Sequence, residues 1–190
     1  MALERRQIVE RALALLDEVG MDGLSTRRLA AELGVKGPSL YWHFRNMREL
    51  FNHMAEALLE TALPAPGAFP HDWQAWLADG ARGIRRAALS HRDGARLLAG
   101  SVPTGQSLIL DFEAMRGRLE AEGFRRGEAH AALMVLGRYA MGWALYEQLT
   151  PTLPPYSDKS FEYGLQAMIQ GIADKTPAAS RPRAEQLRPA

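Results

Sequence analysis

Ile8, Ala12, Leu15, Leu16 and Val19 recur at the spacing of a helix that buries one stripe, and Gly20 and Gly23 then interrupt the pattern. A second, shorter helix is predicted next. Ser25 is placed to accept a hydrogen bond from an orphan backbone N–H at its start, and Leu29, Ala30 and Leu33 form its buried side. Gly34 suits a left-handed exit from that helix. Pro38 suits the first turn of a third helix, where a missing N–H costs little. Asn46, with Glu49 three residues on, reads as a capping box opening a fourth helix with Leu50, Met54, Ala57 and Leu58 on one face. These patterns predict a three-helix bundle over 1–46 and a connecting helix over 47–66 that leads out of it.

Pro64, Pro66, Gly67 and Pro70 make the clearest break in composition, and a second, larger helical unit is predicted over 67–175. Asp72 is placed to cap a helix carrying Trp73, Trp76, Leu77, Ala81, Ile84 and Leu89. A short segment with Leu97 and Leu98 follows, then a turn at Gly100 to Gly105. Leu108, Phe112, Met115 and Leu119 fit a further helix ending near Gly123. The stretch from Glu128 to Leu149 is apolar on several faces, which predicts a helix buried or shared with a partner. Pro151, Pro154 and Pro155 end it, and Phe161, Leu165, Met168, Ile169 and Ile172 mark a final helix. Residues 176–190, with three prolines and scattered arginines, predict a disordered tail. No alternating strand pattern competes with these helices, so the fold class is all-α.

Composition narrows the function classes. A chain of 190 residues with a formal net charge of +1 has room for a core and carries no global field for polyanions. The absence of cysteine excludes disulfides, thiolate–zinc sites and cysteine nucleophiles. Glu4, Arg5 and Arg6 run straight into an amphipathic pattern unlike a signal peptide, and no apolar run is long enough to cross a bilayer, so a cytoplasmic protein is expected. Charge is instead local: between residues 25 and 49, Arg27, Arg28, Lys36, Arg45 and Arg48 face only Glu32 and Glu49. Phosphate contacts need such an excess. Two short helices joined by a glycine turn, the second bearing Ser39, Tyr41, Trp42 and His43, form a helix-turn-helix, which lays a helix into the major groove of DNA.

The run from Leu24 to Phe44, followed by Asn46 and Leu50, resembles the DNA-binding domain of the tetracycline-repressor (TetR) family. Trp73-Gln74, Leu89-Ser90-His91-Arg92-Asp93-Gly94-Ala95, Gly123-Phe124, the Gly137 to Gly142 spacing and Phe161 to Leu165 resemble the C-terminal domain of its tetracycline-repressor branch. The resemblance implies an all-α homodimer with one helix-turn-helix domain and one ligand-binding and dimerisation domain per subunit. It implies repression of transcription until a small molecule binds and moves the DNA-binding domains apart. Arg27 falls where the family contacts a guanine, and Thr26, Ser39, Tyr41 and His43 fall on positions of base or phosphate contact. Arginine offers guanine a bidentate fork, while hydroxyls and imidazole suit phosphates. Lys36, Gly37, Pro38, Trp42 and Arg48 complete the expected DNA-facing set. Gly37 replaces a base-reading glutamine and Met47 a phosphate-contacting lysine, so an operator other than the tetracycline one is expected.

The effector side departs further. Where the branch holds a magnesium–drug chelate, the matching positions are Leu63, Gly80, Leu98, Val102 and Tyr146 beside Glu147, with Ser101 a conservative replacement. Such residues give a divalent ion little to bind, so no metal or cofactor is expected. A cavity drawing on Leu63, Gly80, Ile84, Leu98, Ser101, Val102, Met115, Tyr139, Trp143 and Tyr146 would take a flat, largely apolar aromatic molecule with a few polar handles.

Plainer readings stand beside these. Trp42 and Phe44 divide between surface and core, and Tyr41 and His43 face phosphate. His43 has no second histidine at coordinating spacing. His91, beside Arg92 and Asp93, lacks a nucleophile and is expected to fix the turn between helices by a hydrogen bond. His53, His71 and His130 read as surface or partly buried. Trp73 and Trp76 read as core, while Met115 and Trp143 stand between core and cavity. Arg116, Arg118, Arg125 and Arg126 read as a solvated face. Gly137 and Gly142, inside a helix, ask for close approach of another helix in a dimer bundle. The competing function class is a small-molecule-binding helical protein, acting as an activator or as a sensor independent of DNA. No reactive constellation points to an enzyme.

Overall fold

A computed structural model describes residues 4–63, 72–102, 104–105, 111–150, 152 and 157–176. Among them the regular structure is entirely helical, with no strand. The order is α1 (Arg5–Gly23), α2 (Thr26–Glu32), α3 (Gly37–Leu40), α4 (Met47–Ala62), α5 (Trp73–Leu89), α6 (Gly94–Gly100), α7 (Phe112–Ala121), α8 (Arg126–Leu149) and α9 (Ser157–Lys175). The proline break over 64–70, His71, Leu108, Pro151, Pro154, Pro155 and the tail beyond Thr176 lie outside the described residues.

The predicted caps are in place. Ser25 accepts a hydrogen bond from Arg28 N, Asn46 from Glu49 N, and Asp72 from Gln74 N and Ala75 N. The Glu49 carboxylate accepts from Arg45 N (2.6 Å), one residue earlier than a standard capping box would have it. Asp111 caps α7 in the same manner as Asp72 caps α5. Gly34, with φ +66°, takes the left-handed turn between α2 and α3 that a side chain would strain. Gly20 and Gly23 interrupt α1 where the pattern placed them. The helix kinks at Gly20, at φ +70°, and continues to Gly23.

One apolar core joins α1, α2, α3 and α4 through Ile8, Leu15, Leu16, Leu29, Leu40, Phe44, Met54 and Leu58. It runs on into Ala87, Ala88, Ala95 and Leu97 of α5 and α6. A second core, with Trp73, Trp76, Leu119, Leu136, Phe161 and Leu165, holds α5, α7, α8 and α9 together. Leu89, expected on the buried face of α5, is exposed, and Ala88 is buried in its stead.

The join between the two bundles explains the residues from His91 to Ala95. Asp93 adopts a left-handed conformation (φ 56°), and its Oδ2 accepts from Met21 N at 2.7 Å. That carboxylate sits where a side chain on Gly20 would begin, a second reason for glycine there. Asp17 of α1 accepts from Arg92 N (2.8 Å) and pairs with His91 Nδ1 (2.7 Å). Arg96 forks onto Asp22 (2.6 and 2.8 Å). Gln148 of α8 accepts from Ala95 N and donates to Ala88 O and His91 O. His91 is therefore structural: its ring ties the α5–α6 turn to α1, and its carbonyl accepts from Gly94 N within the turn (3.0 Å).

Candidate nucleic-acid interface and cavity

The recognition segment is a short helix held by two apolar anchors. Leu40 and Phe44 are buried, and the chain between them turns through hydrogen bonds from His43 N and Phe44 N to Leu40 O. That turn sends the neighbouring side chains outward: Trp42 is 90% exposed and Tyr41 56%. Arg27, Lys36, Pro38 and Arg48 are exposed, while Thr26, Gly37, Ser39 and His43 are half-buried around them. Of the ten positions of the predicted DNA-facing set, six are therefore exposed, four are half-buried and none is buried. Arg5, which sequence reasoning did not single out, steadies this surface. Its Nη2 donates to His43 O (3.1 Å) and its guanidinium lies over the Phe44 ring at 5.6 Å. Arg28 donates to Gly23 O (3.2 Å), which commits it to the turn before α2.

A cavity of about 670 Å³ lies between α4, α5, α6, α7 and α8, within the size range of small-molecule sites. Leu63, Gly80, Ile84, Leu98, Ser101, Val102 and Met115 line it, as the sequence suggested. Tyr139, Trp143 and Tyr146 do not. Helical rotation turns Leu133, Met134, Gly137 and Met141 of α8 toward the cavity, leaving Tyr139 and Trp143 on the opposite side against Phe161 of α9. There Tyr139 donates to Phe161 O (2.8 Å) and Trp143 Nε1 to Glu147 (3.2 Å). Burial pushes the Tyr139 phenol up, against the smaller effect of Arg85. Tyr146 is exposed, on the outer face of α8.

Arg116 also differs from expectation. It is buried, lines the cavity and pairs with Glu113 and, at 3.5 Å, Glu120. Arg118 packs its guanidinium over the Trp76 ring (4.8 Å), while Arg125 and Arg126 are solvated. Asn52, Glu56, Phe112, Glu113, His130 and Arg138 are further lining residues that sequence reasoning missed. For Asn52 and Glu56 a signal existed: with Leu59, and Leu63 just past the end of α4, they recur at helical spacing as a second stripe.

The donor set for a divalent ion does not fit here. Leu63, Gly80, Leu98 and Val102 offer hydrocarbon, and Glu147 is turned away from the cavity to Arg85, with N–O distances of 2.9 and 2.5 Å. Among the described residues no three acidic or imidazole groups gather in a metal-holding arrangement. No helix among them is long and apolar enough to cross a membrane.

Comparison with known proteins agrees with both halves of this geometry. Residues 8–54 match the family of bacterial regulatory proteins termed tetR, and residues 63–154 match the tetracyclin repressor-like C-terminal domain. The chain is 37% identical to the class A tetracycline repressor protein from transposon 1721 of Escherichia coli, over 91% of this chain and 92% of that one. Among solved structures, a tetracycline repressor variant from Acinetobacter baumannii AYE in complex with minocycline superposes with a TM-score of 0.81. It is 38% identical and covers 92% of this chain and 98% of its own. BioQ bound to its double-stranded DNA operator superposes with a TM-score of 0.73 at 33% identity, over 90% of this chain and 99% of that one. The recognition corner, the cavity and these relatives together place the chain in the TetR family of DNA-binding transcriptional regulators.

Proposed function

We propose that this chain is a repressor that binds a palindromic operator as a homodimer and is released by a small, largely apolar or aromatic effector held without a metal. The observation that carries this reading is the double duty of α4. Its Leu50, Met54 and Leu58 belong to the core that supports the recognition segment, and its Asn52, Glu56 and Leu59, with Leu63 just beyond its end, form one wall of the cavity. An occupant that displaces that wall displaces the recognition segment with it, because packed cores shift between discrete arrangements rather than deforming smoothly. The contacts from Asp17 and Met21 to the α5–α6 turn give the movement a fixed pivot.

In this reading Arg27 reads a guanine. Thr26, Lys36, Ser39, Tyr41, His43 and Arg48 hold phosphates, and Gly37, Pro38 and Trp42 present backbone and apolar surface to the groove. Dimerisation uses the outward stripe of α8, where Val135, Gly142, Tyr146 and Leu149 are exposed, with Tyr163 of α9. A side chain at Gly142 would meet nothing among the described residues, which leaves room there for the close approach of a second copy.

Gel-shift titration against the DNA flanking its own gene tests the proposal. Salt-sensitive binding is expected, and Arg27→Ala is expected to weaken it by about 1–3 kcal/mol while relaxing discrimination at one base pair. Equal loss on all sequences would show that Arg27 touches only phosphate.

A further inference from the structure

Among the described residues, the carboxylates and guanidiniums that line the cavity are, with one exception, engaged by partners from this chain. Glu56, on the α4 wall, accepts from the Thr104 hydroxyl and lies 3.9 Å from His53 Nδ1. Glu113 of α7 pairs with Arg116 and with Arg126 (3.5 Å). Arg116 also has Glu120 at 3.5 Å. Arg138 of α8 is the exception: it is exposed and makes no hydrogen bond, ion pair or ring contact among the described residues. Met134 and Met141, four residues before it and three after, set it one turn from apolar lining in each direction, and Gly137 beside it brings only backbone. On its other flank lies the outward stripe of Val135 and Gly142, so the guanidinium sits at the rim of the cavity. His130, two turns earlier on the cavity face, is about 12 Å away along the helix, too far to share one small anion.

An unpaired guanidinium beside an apolar wall favours a guest that brings it an anion, and a carboxylate can take two parallel N–H bonds from it. We propose that Arg138 is a specificity-determining residue of the cavity and that the effector presents a carboxylate to it at the α8 rim, with an apolar aromatic body inside. This rests on the reading of the cavity as the effector site and adds the charge of the ligand to it.

Fluorescence titration of the full chain at neutral pH with 1-pyrenecarboxylate and with its neutral isostere 1-pyrenecarboxamide tests the assignment. The carboxylate is expected to bind about fivefold to thirtyfold tighter, between the range of an exposed ion pair and that of a hydrogen bond to a charged group. Arg138→Gln is expected to remove that preference while leaving affinity for the amide within about threefold, since Arg138 is exposed and belongs to neither core. Gly80 lines the cavity, and a Cβ there meets nothing within 4 Å, so Gly80→Trp is expected to fill the space and abolish binding of both probes. Equal binding of the two probes by the unmodified chain would overturn the proposal, whether or not either variant folds, and would leave the effector-cavity reading standing. Survival of the preference in R138Q would overturn it too. Binding unaffected by G80W, or failure of both probes to bind, would contradict the effector-cavity reading itself, and this assignment with it.

Discussion

Replacing Val135 and Tyr146 together with glutamate is expected to yield a folded monomer that no longer holds its operator. Both side chains are exposed, 47% and 60%, on the outer face of α8, and Leu149 extends the same stripe at 74%. Neither belongs to the two cores, so helicity and the cavity should be retained. In a symmetric pair each substitution meets its own copy or a near neighbour, so four added carboxylates face one another across an apolar seam. A single subunit reaches one half-site only. Operator affinity is then expected to fall to the non-specific level, about a thousandfold or more. Sedimentation and gel shift on the same sample check both parts. A variant that stays dimeric, or a monomer that binds with full affinity, would contradict the assigned dimer face.

Arg85→Met is expected to destabilise the chain by about 3 kcal/mol, since breaking one side of a buried pair strands the other charge. The partner is Glu147, a buried side chain that also accepts from Ser157 Oγ (2.6 Å) and Trp143 Nε1 (3.2 Å). Arg85 further reaches Asp158 (2.6 Å) and lies over the Phe161 ring at 4.7 Å, so it joins α5, α8 and α9 at one point. A loss of that size corresponds to a melting temperature lower by about 6–12 °C for a domain of this length. The double variant R85M/E147L is expected to regain more than half of the loss, because it removes the stranded carboxylate. Burial alone would raise the Glu147 pKa, but the bonds from Arg85, Ser157 and Trp143 outweigh it and hold the carboxyl below its ordinary value. A depressed folded-state pKa contributes stability above the unfolded value of about 4.3 that is lost as the pH falls below it. The gap between wild type and R85M should therefore narrow on acidification. Thermal melts at pH 7 and below pH 4 measure it.

The recognition corner was legible because its determinants are local. Ser25, Gly34, Pro38 and Asn46 act within three or four residues, and Leu40 and Phe44 fall at spacings that one turn of helix explains. The facing of α8 was not legible. A helix with apolar residues on every side has no preferred direction, so Tyr139 and Trp143 were as eligible for the cavity as Met134 and Met141. Neighbouring helices decide that rotation. Arg116 misled for a similar reason: its stem packs and its charge is met by Glu113 and Glu120 on the same helix, an arrangement that reads as solvated until a wall is present. His91 pairs with Asp17 and Arg85 with Glu147 across long stretches of chain, and no spacing announces such partners.

The surface around Tyr41 and Trp42 is expected to enter DNA twice per symmetric pair. Selection of duplexes from a randomised library by the purified chain, followed by sequencing of those retained, checks this. Enrichment of one inverted repeat with half-site centres about 34–36 Å apart, or a multiple of that, is expected. That enrichment is expected to disappear when Arg27 and Tyr41 are both replaced by alanine. A retained pool without an inverted repeat, or one unchanged by those replacements, would contradict it.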